Sequence, residues 1–154
     1  MASTTFSGPV TSTNGFIGNI IGGVTGTVTN TELTAASTLT AAQSGTTFFL
    51  NAATEFATTL PAPAAGLVFT FIVKAAPSGA NYTVVTASSA NVIKGQAYPA
   101  SGDAGDTGTA DDTISFVSGS SVAGDMVTVI SDGTSWFAKA YCAVAAGVTF
   151  TQAS

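Results

Sequence analysis

The 154-residue chain has 7% charged residues, 8 acidic against 3 basic, and no histidine, where typical soluble domains carry about 25% charge. Three scattered lysines (Lys74, Lys94, Lys139) cannot replace the counterions of a phosphate backbone, which excludes a nucleic-acid partner. Lack of histidine and arginine excludes His-based general-base catalysis, Ser-His-Asp triads, histidine metal sites and bidentate anion clamps.

The first segment, residues 1–20, contains "TTFSGPVTSTNGF" with no charged side chain. It lacks the basic and continuous apolar regions of a secretory signal. Gly8-Pro9 and Asn14-Gly15 interrupt it twice, so it reads as an extended arm preceding a single β-domain over 21–154. An extended arm leaves backbone N–H and C=O groups to be satisfied. A neighbouring surface can satisfy them by strand addition, with side chains entering pockets. Thr5, Phe6, Val10, Phe16 and Ile17 are the candidate contacts, the aromatics being the natural anchors. The alternative is an arm that pairs within its own sheet; Val10, Ile17, Ile20 and Ile21 either seal the arm or belong to the core's first strand.

Beyond the arm, β-branched and aromatic runs recur between Gly, Ser, Asn and Pro punctuation, and helical periodicity is nearly absent. Candidate strands are 15–21, 24–30, 46–51, 67–74, 81–87, 91–95, 112–118, 125–131, 135–142 and 147–151. About ten short strands in one chain of this length predict an antiparallel β-sandwich or barrel, jelly-roll-like. The stretch 29–45, with its near-repeat "LTAAS"/"LTAAQ", fits either a helical turn or two strand ends. "LPAPAAG" (60–66) is a connector, since Pro61 and Pro63 cannot donate to a ladder. "LVFTFIVK" (67–74) is apolar at both parities and reads as a central strand covered on both faces. Its apolar core is also far shorter than the ~20 residues of a spanning helix, so no membrane partner is expected. "SDGTS" (131–135) places Asp-Gly between two strand-like runs, a hairpin signal.

Candidate chemistry is sparse. "SGDAGDTGTADD" (101–112) holds Asp103, Asp106, Asp111 and Asp112 but matches neither the EF-hand nor the glycine-rich repeat pattern for calcium. It reads as a solvated Gly/Asp loop rather than a cation site, and no cofactor is expected. Cys142 cannot form an internal disulfide, which fits cytoplasmic synthesis, and its strand setting predicts a buried structural thiol. Trp136, Tyr82, Tyr98 and Tyr141 fit core or sheet packing better than a sugar-stacking platform. A Lys–Asp/Glu crosslink has no motif to pair its members.

The stretches "TLTAAQSGTTFFLN" (38–51), "TLPAPAAGLVFTFIVK" (59–74), "NVIKG" (91–95) and "GDMVTVISDGTSWFAKAYC" (124–142) resemble modules of tailed-bacteriophage virion proteins. The opening "TTFSGPVTSTNGF" is similar to N-terminal arms of phage head-associated proteins. The resemblance implies a non-enzymatic capsid decoration (cement) protein on the virion surface. Such a subunit is small, β-rich and usually a homotrimer, and clamps the major capsid protein on the outside of an icosahedral head. A tail-fibre or spike head domain that binds a host receptor is the alternative.

Overall fold

The computed structural model describes residues 29–52 and 54–152. The arm and the candidate strand at 15–21 lie outside them, as does nearly all of the one at 24–30. Among the described residues twelve strands form two facing sheets. In chain order they are β1 (Asn30–Leu33), β2 (Ser37–Thr38), β3 (Thr47–Leu50), β4 (Ala57–Thr59), β5 (Val68–Val73) and β6 (Tyr82–Val85). They continue with β7 (Ile93–Pro99), β8 (Thr107–Asp111), β9 (Thr113–Phe116), β10 (Met126–Ser131), β11 (Trp136–Cys142) and β12 (Val148–Thr151).

The larger sheet runs β1-β3-β5-β10-β11-β7-β8 and the smaller β12-β9-β6-β4-β2. The all-β sandwich expected from the strand spacing is present, but its sheets are mixed rather than antiparallel. From β1 to β6 the chain alternates between the sheets, giving each sheet one strand per turn of a flat coil. Successive strands of one sheet therefore run the same way, and β1-β3-β5 and β2-β4-β6 pair in parallel. The second half supplies the hairpins and the antiparallel ladders of β5-β10-β11 and β6-β9-β12. The ambiguous stretch 29–45 resolves into β1, β2 and a 3-10 turn at Ala41–Gln43, whose Gln43 side chain accepts the Thr40 N–H at 2.8 Å.

Apolar alternation sets what each sheet buries. Phe69, Phe71 and Val73 of β5 face inward, as do Trp136, Ala138, Ala140 and Cys142 of β11. Phe48 stacks on Phe71 at 5.5 Å between ring centroids, and Phe69 meets Trp136 at 5.7 Å. Tyr82 is buried too: its hydroxyl donates to the Ala52 carbonyl and accepts the Ala52 N–H, so the core gains an aromatic ring at no polar cost. The other parity of β5, Val68, Thr70 and Ile72, is only half-buried, so the expectation of burial on both faces gives way to one buried face.

Polar side chains fasten the turns. Asp132 Oδ1 accepts the N–H groups of Thr134 and Ser135, closing the β10–β11 hairpin where Gly133 takes φ 105°. The acidic stretch is more than a loop. Residues 107–111 form the edge strand β8, and Asp106 Oδ2 accepts the Phe150 N–H at 2.7 Å, tying that edge to β12 across the sandwich. Gly95 and Gly108 make room for Phe150 there, since a Cβ on either would lie within about 3 Å of its ring or Cβ.

Candidate interaction face

Strand alternation gives the larger sheet a second face, pointing away from the core. On β11 it presents Phe137, Lys139 and Tyr141, and on β7 Lys94, Gln96 and Tyr98. Register aligns these into rows across the strands. One row runs Val68–Ile130–Phe137–Lys94. The next runs Thr47–Thr70–Thr128–Lys139–Gln96–Thr107. A third runs Glu32–Phe49–Ile72–Met126–Tyr141–Tyr98. Two rows rich in apolar and aromatic residues thus flank a hydroxyl-rich one, in which Thr70 and Thr128 share a 3.0 Å hydrogen bond.

The apolar members are open to solvent: Ile130 is 50% exposed, Phe137 46%, Tyr141 47% and Tyr98 43%. Lone exposed apolar residues are normal on protein surfaces; here they stand as two pairs, Ile130–Phe137 and Tyr141–Tyr98, on either side of the hydroxyl-rich row, which makes this face the candidate contact surface. Lysines accompany the rings. Lys94 Nζ lies 5.7 Å from the Phe137 centroid, and Lys139 Nζ lies 5.5 Å from Tyr98 and 5.2 Å from Tyr141. The two tyrosine rings are 5.8 Å apart, and the Tyr98 hydroxyl donates to Gln96 Oε1 at 2.9 Å. Contact with Tyr141 raises the Lys139 pKa further above neutrality, so this cation stays charged.

At the other end of the same face, next to β1, lies a groove of about 540 Å³. Phe49 and Ile72 line it on the apolar side, Asn30 and Ala123 bound it, and the Glu32–Lys74 ion pair sits on its rim. Asn51 Nδ2 also donates to Glu32 at 2.7 Å. The Lys74 and Asn51 hydrogen bonds lower the Glu32 pKa. Lys74 continues the outward parity of β5, so all three lysines of the chain lie on this side of the larger sheet.

Comparison with protein-family models, curated proteins and solved structures finds no match.

The candidate contacts Thr5, Phe6, Val10, Phe16 and Ile17 lie outside the described residues. Of the four large aromatics weighed in the sequence, Trp136 and Tyr82 belong to the core, whereas Tyr98 and Tyr141 pair on the open face. The sequence carried a signal for that face. In "SWFAKAYC" the solvent-side parity holds Phe137 and Tyr141 where polar residues are the rule for a half-buried strand. Cys142 is buried, and burial pushes its thiol pKa up, which removes nucleophilic character. Among the described residues no three acidic or cysteine side chains are grouped to hold a metal. Asp106, Asp111 and Asp125 accept backbone N–H bonds instead.

Proposed function

We propose that the protein is a non-enzymatic virion structural protein. It decorates the outside of an icosahedral tailed-phage head as a homotrimer bound to the major capsid protein. The observation that carries this reading is the outer face of the larger sheet. Phe137, Tyr141, Tyr98 and Ile130 stand exposed there beside Lys94 and Lys139, and aromatic anchors of this kind dominate protein–protein contacts. The low charge of the chain suits close packing against neighbouring copies. Thr5, Phe6, Val10, Phe16 and Ile17 of the N-terminal segment are the further contacts of this reading, to the shell or to a neighbouring copy. The resemblance to phage virion proteins supplies the shell as partner.

Co-sedimentation with purified heads tests the reading. Wild type is expected to bind in hundreds of copies per head, deletion of residues 2–14 to abolish binding, and Phe137→Ser with Tyr141→Ser to weaken it at least about tenfold. Absence of binding to heads defeats the proposal. The Tyr98–Tyr141 pair beside Gln96 and Lys139 favours one second reading, a tail-fibre or spike head that binds a host surface receptor. A few to tens of copies per virion would select it.

A further inference from the structure

Among the described residues most charges are already partnered within the chain. Every carboxylate except that of Asp103 accepts a hydrogen bond from a neighbouring group. Lys74 pairs with Glu32. Lys94 lies near Asp132, whose pKa is lowered by the Ser135 and Thr134 N–H groups and, in smaller part, by Lys94. Lys139 differs from both: among the described residues it has the rings of Tyr98 and Tyr141 beside it and no carboxylate.

The position of Lys139 turns that difference into a requirement. On β11 it lies two residues from Phe137 and two from Tyr141, on the same outward side. A surface that covers the Ile130–Phe137 and Tyr141–Tyr98 pairs therefore covers Lys139 as well. Its ammonium is held 5.5 and 5.2 Å from the two tyrosine ring centroids, in the middle of the face. A charge buried without a counter-charge is costly, so the covering surface has to bring one. Register sets a second donor alongside. Gln96 is the cross-strand partner of Lys139, and its Oε1 already accepts the Tyr98 hydroxyl. Its Nε2 is left as a donor. An ammonium and an amide side by side on adjacent strands suit the two oxygens of one carboxylate.

We propose that Lys139 and Gln96 receive one carboxylate from the protein this face packs against, an Asp or Glu side chain set among apolar ones. The inference rests on the capsid reading and names the chemistry of the shell surface that meets the sheet. A second copy of the chain is a poor occupant. Its same face would bring Lys94 and Lys139 against a face that carries both, and its Glu32 is held by Lys74 and Asn51. Asp103 lies in the connection between β7 and β8, away from the strand rows. A polyanion fits no better, since one such ammonium between apolar pairs cannot neutralise a run of phosphates.

Binding to purified heads, measured for wild type, Lys139→Met and Lys139→Glu, tests the pairing. Lys139→Met keeps the length of the side chain and removes its charge. It should bind at least about tenfold more weakly, because the carboxylate opposite is left buried and unpaired. Lys139→Glu should not bind measurably, and both variants should keep the wild-type thermal midpoint. Raising NaCl from about 50 to about 500 mM should weaken wild type more than Lys139→Met. Carbodiimide treatment of decorated heads should join Lys139 to an Asp or Glu of the capsid protein. Wild-type affinity in Lys139→Met overturns the inference and leaves the capsid reading standing. Wild type that fails to bind heads overturns both. A carbodiimide crosslink from Lys139 to Asp103 of another copy assigns the face to self-association and overturns the inference equally.

Discussion

Asp125 lies just before β10 and accepts the N–H of Ala143, just after β11, on its Oδ1 at 2.9 Å. The other oxygen takes the Ser121 hydroxyl at 2.9 Å and the Val122 N–H at 3.1 Å. The residue is 4% exposed, and Gly147 leaves space for it, a Cβ there falling 3.1 Å from Oδ2. One buried carboxylate thus holds together the turn entering β10 and the chain leaving β11.

Removing it strands three donors. Asp125→Ala should destabilise the protein by about 2–4 kcal/mol, because buried donors that lose a charged acceptor are expensive. That corresponds to a fall of roughly 5–15 °C in thermal midpoint for a domain of this size. Asp125→Asn, which keeps one acceptor oxygen, should lose less. Equal losses for the two variants would show that the carboxylate charge matters more than the oxygen count.

Steric closure makes a second prediction. A Cβ on Gly95 would lie 2.6 Å from the Ala138 carbonyl oxygen and 3.0 Å from the Phe150 ring. Gly95→Ala should cost about 1–3 kcal/mol through overpacking. Gly79→Ala is the control: its Cβ would meet only Glu55 Oε2, at an ordinary 3.4 Å, and should change stability by less than about 0.5 kcal/mol. Chemical denaturation of the two variants side by side is the measurement.

Acid sensitivity should concentrate partly at Glu55. The Ser78 and Gly79 N–H groups donate to its carboxylate at 2.7 and 3.1 Å and pull its pKa down to about 2 from 4.5. A depressed carboxylate pKa contributes stability that is complete above the unfolded value and is lost as pH falls through the folded one. Between pH 5 and pH 2 the wild-type thermal midpoint should therefore fall more steeply than that of Glu55→Gln. Above pH 6 the two curves should run parallel, with the variant lower. The group is solvent-exposed, so the direction of the difference is the test.

The two faces of β11 should separate stability from contact. Trp136→Ala removes a fully buried ring packed on Phe69 and should cost about 3–5 kcal/mol. Phe137→Ala, one residue on, exposes no core and should cost less than about 1 kcal/mol. A loss at Phe137 comparable to that at Trp136 would mean that the outer face is already covered in the folded protein.

The β class of the fold was legible because strand-forming runs alternate with residues that break ladders. Eight of the candidate strands, such as 67–74 and 135–142, coincide with observed ones, and the candidate at 24–30 meets β1 at Asn30. Local rules also sufficed for the Asp132-Gly133 hairpin and for the buried Cys142, since both depend on neighbours in sequence. Strand direction was not legible. Whether β3 pairs β5 in parallel depends on β4 crossing to the other sheet, and "ATT" at 57–59 is too short and too ordinary to announce a strand. Edge strand β8 was hidden for the same reason. Asp106 becomes structural only when β12 brings the Phe150 N–H to it across 44 residues. The outer face follows the same logic. Sequence supplied Phe137 and Tyr141 on one parity of one strand. Only the register of β11 against β7 and β10 set Tyr98, Ile130 and Lys94 beside them, because long-range pairing decides which side chains become neighbours.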